Sequence, residues 1–359
     1  MPNPASLCLL RLSALGDVSH ILPLVAAIRR QQPVTRIHWV LGQGEAKLLA
    51  GIPGVELIPF AKGDGAKGMR TLWQRLHGQS FDALLLMQLA LRANILSLGI
   101  RAQRRIGYDR ARSKEGHAIF IRERIAEHPR GHVLETLCRF GAPIGVHVNE
   151  LLWNFAIPDE AHDFAQRMLP ARGVPLMGIS PCSSHALRNW QPRRYAEVAR
   201  HAYRRQGMEI VLLGGRSKIE TEMRDAIKSC APELPFIDLV GKDSLKQMLA
   251  LLARLDVLLC PDAGPAHLAS ALSVPVLGLY AATDPNRSGP YRSIRWCANA
   301  YAKAARARYA KSPEQLPWGK RVEYPGVMDL ISIEEMNCLL DHLLATPVDQ
   351  RLEPARLRA

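Results

Sequence analysis

Three short stretches of this 359-residue chain hold side chains able to move a proton or grip an anion. In "LCLLRLSALGDVSHILPLVAAIRR", residues 7–30, the only carboxylate is Asp17, at a Ser13-Ala14-Leu15-Gly16-Asp17 bend between a buried-strand pattern and an apolar helix pattern. Open α/β sheets bind ligands beyond the carboxyl ends of their strands, so an acid at such a bend faces a ligand and can take its proton. Asp17 can equally be a helix cap, its oxygen accepting a first-turn N–H. The second stretch, "PCSSHALRNWQPRRYAEVARHA", supplies Ser183, Ser184 and Arg188 before a helix expected near Pro192. Hydroxyls, loop amides and an arginine can cradle and neutralise a diphosphate, although turn serines and a surface cation would read the same way. The third, "CPDAGPAHLASALSVPVLGLY", residues 260–280, places Asp262, Gly264 and His267 where a strand passes into a helix of small residues. A helix N-terminus there is an anion site, while a capping aspartate and a half-buried histidine are the plainer alternatives.

The elements that must position these residues alternate in type. Strand-like runs "LCLLRL", "RIHWVL", "VELIPF" and "DALLLM" are separated by helical patterns, and a second series follows residue 175: "PLMGIS", "EIVLLGG", "FIDLVG", "VLLCPD" and "VPVLGLY". That rhythm predicts α/β architecture, with two doubly wound parallel sheets in succession. The length exceeds what one core usually supports, which also favours two domains. The expected divisions are an N-terminal domain 1–165, a C-terminal domain 166–346 and a frayed tail 347–359, with the linker within "IPDEAHDFAQRMLPARGVP", residues 157–175.

Composition narrows the classes. No apolar run reaches the roughly 18 residues needed to span a bilayer. The first strand pattern begins near Leu7, leaving no room for a leader, so the expected location is cytoplasmic. Seven scattered cysteines show no metal or redox spacing and are expected to be reduced and mostly buried. Lys plus Arg total 47 against 33 Asp plus Glu, a formal charge of +14 that favours an anionic partner. Residues 287–321 hold nine Lys or Arg, one acid, and Tyr291, Trp296, Tyr301 and Tyr309. That mixture suits a solvated loop and helix, or a surface for single-stranded nucleic acid or a polyanionic sugar. No G-x-G-x-x-G follows the first strand, and neither a P-loop nor a G-x-S-x-G elbow is present.

The "LSALGDVSHILPL" bend, the "SSHALRNWQPRRYAEV" loop and "PDAGPAHLASAL…TDPNRSGPY" together resemble glycosyltransferase family 9, the ADP-heptose:lipopolysaccharide heptosyltransferases, in order and spacing from about residue 7 to 345. The first stretch is more similar to heptosyltransferase I, which acts on the Kdo of lipid A, than to heptosyltransferase II. The resemblance implies a GT-B fold, two Rossmann-like domains facing a central cleft, with the acceptor mainly on the first and the nucleotide sugar on the second. It implies Asp17 as catalytic base, Ser183, Ser184 and Arg188 as the diphosphate loop, Asp262, Gly264 and His267 as a second donor motif, and Glu220 as an acid for nucleotide hydroxyls. Heptosyltransferase I enzymes commonly carry lysine where this chain has Arg188, and the two cations are not interchangeable.

The chemistry so implied is inverting transfer of heptose from ADP-heptose to a Kdo-lipid A type acceptor, without a metal or other cofactor, at the inner face of the cytoplasmic membrane. An anionic glycolipid acceptor gives a purpose to Lys62, Lys67 and Arg70, expected in a flexible glycine-rich loop, and to Arg112 and Lys114 after "RIGYD". The alternatives are a family 9-type transferase with another nucleotide sugar or glycan acceptor and, remotely, a non-catalytic nucleic-acid binder, although no defined nucleic-acid module is visible and no nucleic-acid partner is expected.

Overall fold

The apolar runs become strands of two parallel sheets. The computed structural model describes residues 4–171 and 173–358, and the chain divides into two compact units, Met1–Ala156 with Ala355–Ala359, and Ile157–Pro354. In the first unit β1 (Ser6–Leu10), β2 (Arg36–Gly42), β3 (Val55–Phe60), β4 (Phe81–Leu86), β5 (Ala102–Gly107) and β6 (Glu123–Arg124) form a sheet in the order β3-β2-β1-β4-β5-β6. In the second, β7 (Leu176–Ile179), β8 (Glu209–Leu212), β9 (Ile237–Asp238), β10 (Val257–Pro261), β11 (Val276–Tyr280) and β12 (Cys297–Asn299) run in the order β12-β11-β10-β7-β8-β9. Helices cover both sheets, so β1, β7, β10 and β11 are buried along their whole length and read as unbroken apolar runs.

Each sheet reverses its strand order beside its first strand, between β1 and β4 and between β7 and β10. Such switch points open a crevice beyond the carboxyl ends of the strands. The Asp17 bend follows β1, the Ser183–Arg188 loop follows β7, and Asp262 follows β10. All three stretches therefore stand at switch points.

Several expectations are corrected. The division falls between Ala156 and Ile157, ahead of the 165/166 boundary, because the helix Asp159–Met168 packs on the helix Leu245–Leu252 of the second unit. Arg172, inside the expected linker, and Ala359, at the end of the expected tail, lie outside the described residues. The tail is held in place: the Trp296 indole donates to the Arg351 carbonyl at 2.6 Å, Glu353 N–H to Arg292 at 2.9 Å, and Leu151 N–H to Ala355 at 2.8 Å. The glycine-rich segment expected to be a flexible loop is a short 3-10 turn, Lys62–Asp64, running into the helix Gly65–Arg75. In 287–321, Tyr291, Trp296 and Tyr301 are buried in the second unit, so they cannot stack on nucleic-acid bases. Four of the seven free thiols, Cys8, Cys138, Cys260 and Cys297, are buried. Among the described residues no helix is long and apolar enough to cross a membrane.

Candidate active site

Asp17 sits in the first turn of the helix Leu15–Ser19, after a cis Ser13–Ala14 peptide. Its Oδ2 accepts the Ala14 N–H at 3.1 Å and pairs with Arg11 Nη2 at 2.5 Å. Its Oδ1 makes no hydrogen bond to any described residue, and the side chain is 32% exposed. Asp17 therefore caps its helix with one oxygen and keeps the other available. Burial raises its pKa, but the Arg11 charge, the Ala14 N–H and His20 outweigh that and hold it below the usual carboxylate value. At neutral pH Asp17 is ionised.

Arg11 is the residue that fixes this geometry. It lies just past β1 in an otherwise apolar run, and its guanidinium spends its remaining donors on carbonyls: Nε on Ser13 at 2.8 Å and Nη1 on Met87 at 2.5 Å. Tyr108 shares the Met87 carbonyl at 2.9 Å and lies 3.3 Å from Arg11 Nη1. Behind it, the Tyr108 N–H donates to His117 Nε2 at 3.1 Å while His117 Nδ1 meets Asn94 Oδ1 at 2.9 Å, which places the ring proton on Nδ1. Burial first, and the Arg124 charge second, push the His117 pKa down to about 4. His117 is thus a neutral strut under Tyr108.

In the second unit Arg188 is buried between two carboxylates. Its Nε donates to Glu323 Oε1 at 2.8 Å, and Nη1 lies 3.6 Å from Asp262 Oδ2. Its Nη2 is buried and meets no acceptor among the described residues. A buried donor left without a partner is costly by roughly 1 to 3 kcal/mol, and an incoming anion removes that penalty. Asp262 also faces His267 Nε2 at 3.8 Å, at the start of the helix Gly264–Ala271 with its first-turn N–H groups. Ser183 shapes the loop: its hydroxyl accepts from His185 N–H at 3.1 Å and its own N–H donates to Asn189 at 2.7 Å. Ser184 is exposed beside it. The arrangement is a buried cation with one unpaired nitrogen at a strand-end crevice.

The family model for glycosyltransferase family 9 (heptosyltransferase) matches residues 69–316. The lipopolysaccharide core heptosyltransferase OpsX of Haemophilus influenzae is 39% identical over 331 residues, 92% of this chain and 94% of that protein. The chain belongs to glycosyltransferase family 9. Lipopolysaccharide heptosyltransferase 1 of Pseudomonas aeruginosa is 26% identical over 298 residues, 79% of this chain and 80% of that one. Among solved structures, a glycosyl transferase family 9 protein from Veillonella parvula superposes with a TM-score of 0.76 at 20% identity, covering 94% and 97% of the two chains. The E. coli heptosyltransferase WaaC with ADP superposes with 0.70 at 18% identity, covering 94% and 99%. The two six-stranded sheets are those of the GT-B fold.

Within this family 9 framework the remaining expected residues separate. Glu220 closes its own turn, Oε1 accepting Gly215 N–H at 2.6 Å and Oε2 the Ser217 hydroxyl at 2.5 Å. Burial, with the Glu220 charge adding to it, pushes the nearby Asp243 carboxyl up to about 6, so a second acid that the sequence reading missed stands there. Lys62 is bound to the buried Glu45 at 3.0 Å. Arg112 pairs with buried Asp109 at 2.6 Å and donates to the His128 carbonyl. Both carry structural ion pairs. Lys67 and Arg70, on one face of the helix Gly65–Arg75, and Lys114 are exposed and can meet an anionic acceptor. Arg11 and Glu323 were not singled out in the sequence. A lone cation in an apolar run was a usable signal for Arg11; Glu323 lies 135 residues from its partner and had none.

Proposed function

We propose that this heptosyltransferase moves heptose from ADP-heptose to a Kdo-bearing inner-core acceptor of lipopolysaccharide, with inversion at the anomeric carbon. The observation that carries the reading is the ionised Asp17, with Oδ2 locked by Arg11 and Oδ1 unengaged. The acceptor hydroxyl gives its proton to Oδ1 as its oxygen bonds to the anomeric carbon, and the bond from that carbon to ADP breaks on the opposite face. Charge appearing on the departing diphosphate is met by the Arg188 guanidinium with its unpaired Nη2, the Ser183–Ser184 loop and the amides at Gly264, which supply the stabilisation that a metal provides in other transferases. Asp262 and His267 border the same site, and Glu220, whose carboxylate closes the Gly215–Ser217 turn, is the acid this reading assigns to the nucleotide hydroxyls. Lys67, Arg70 and Lys114 suit the phosphates and carboxylates of the acceptor, and the enzyme works at the inner face of the cytoplasmic membrane without crossing it. The relatives named for lipopolysaccharide heptose transfer support the substrate class.

The rival reading is a different nucleotide sugar, and thermal protection separates the two. ADP at 100 times its dissociation constant should stabilise the folded enzyme by about 2.7 kcal/mol, with UDP at the same concentration giving little. Equal protection by UDP would favour the rival. Arg11 gives a second test, through pH. Arg11→Met should raise the Asp17 pKa and move the acid limb of the kcat profile upward, with Arg11→Lys recovering part of the shift. An unmoved limb would show that Asp17 does not govern turnover.

A further inference from the structure

The first unit presents a surface that the transfer chemistry does not use. Ile119 is 84% exposed, Leu98 63% and Leu91 49%. Single exposed apolar residues are ordinary, but a polar network gathers these three. The Glu115 carboxylate accepts the Leu91 N–H at 2.5 Å, and Asn94 donates to the Glu115 carbonyl at 3.2 Å while meeting His117 at 2.9 Å. Arg105 donates to the carbonyls of Ser97, Ile100 and Phe120 at 3.0, 3.1 and 2.8 Å. The segments bearing Leu91, Leu98 and Ile119 are thereby tied to one another, and Ala93, Leu96, Ile100 and Ile121 fill the core beneath them. Exposed Arg92, whose Nη1 donates to the Lys62 carbonyl at 3.2 Å, Arg101 and Arg122 stand beside them in the chain. The two acids nearby are engaged, Glu115 on Leu91 and Glu123 on Arg104 at 2.5 Å.

We propose that this face docks the enzyme on an anionic phospholipid bilayer, Leu91, Leu98 and Ile119 entering the headgroup layer while Arg92, Arg101 and Arg122 meet lipid phosphates. Apolar side chains set among cations match the boundary between acyl chains and anionic headgroups. A second copy fits poorly, because a twofold interface sets a patch against itself and would place these cations against their own kind. The proposal rests on the lipid-linked acceptor reading and deepens it, since docking brings the enzyme to the layer that holds such an acceptor.

Flotation of the full chain with vesicles tests it. The wild type should float with phosphatidylethanolamine vesicles containing about one-third phosphatidylglycerol and stay behind with phosphatidylcholine alone. The pair Leu98→Ser with Ile119→Ser, and separately Arg101→Gln with Arg122→Gln, should each lower the partition constant on the order of tenfold. Their melting temperatures should match the wild type, since all four side chains are exposed. A wild type that does not float, or either double variant floating as well as the wild type, overturns the proposal. So does a concentration-dependent dimer that the Leu98/Ile119 pair abolishes while flotation persists. No donor or acceptor is present, so heptose transfer to a deacylated, water-soluble Kdo acceptor is scored separately. Loss of transfer with flotation intact would leave the surface standing and remove only the catalytic reading.

Discussion

Asp17→Asn is expected to lower turnover by about 10² to 10⁴ while leaving the Kd for ADP-heptose unchanged. Asparagine preserves shape: its carbonyl can take over from Oδ2 toward the Ala14 N–H and Arg11, which leaves an NH2 group where Oδ1 faced outward. That NH2 group has no lone pair able to take a proton. The substitution also removes the counter-charge of Arg11. Because the folded-state pKa of Asp17 is depressed, its ionisation stabilises the fold at pH values above the ordinary carboxylate value, and this stabilisation fades as pH falls through the folded value. Asparagine lacks that contribution, so a stability decrease of roughly 1.5 to 3 kcal/mol at most accompanies the kinetic loss at neutral pH. The two effects separate when single-turnover rates are measured on protein shown to be folded at the assay temperature. Wild-type turnover with intact donor binding would return Asp17 to a purely capping role.

Arg188→Ala should weaken ADP by about 1.5 to 3 kcal/mol, roughly 10- to 150-fold in Kd, and leave adenosine almost unaffected. The loss has two parts. The unpaired Nη2 donor disappears, and Glu323 and Asp262, which the guanidinium holds at 2.8 and 3.6 Å, are left as two acids without their cation. Glu323→Gln keeps an acceptor for Nε and should change ADP affinity less than Arg188→Ala does. Arg188→Lys, which restores the residue common in heptosyltransferase I, keeps the charge but has no fork to span both carboxylates. Titration calorimetry with ADP and adenosine measures these differences, and equal losses for the two ligands would place Arg188 away from the diphosphate.

Strands carried by apolar runs were the legible ones. Nine of the strands announce themselves as apolar runs, and the bends after β1, β7 and β10 carry the site residues because strand-end crevices are where side chains meet ligands. Strand β5, "AQRRIG", paired on both sides by β4 and β6, escaped notice because its arginines look solvated. In the fold Arg104 grips Glu123, and Arg105 is consumed by three carbonyls. The glycines before Arg70 suggested flexibility, yet a Cβ on Gly68 would meet the Ala61 carbonyl and Asp64 at 3.0 Å, so close packing of a helix explains that glycine. Glu220 closes a Ser-x-x-Glu capping box that was visible in "SKIE". The Arg188–Glu323 pair joins distant segments, through Val322, whose N–H is held by the Ala282 carbonyl at 2.8 Å. Periodicity cannot encode such a contact.

The most direct test of the central claim is incubation of the full chain with ADP-heptose and Kdo-lipid A, with the product's mass and anomeric configuration read by mass spectrometry and NMR. The expected products are an acceptor heavier by one heptose residue, with an anomeric configuration opposite to that of the donor, and stoichiometric ADP. Retention of configuration, or ADP released with the acceptor mass unchanged, would contradict that claim.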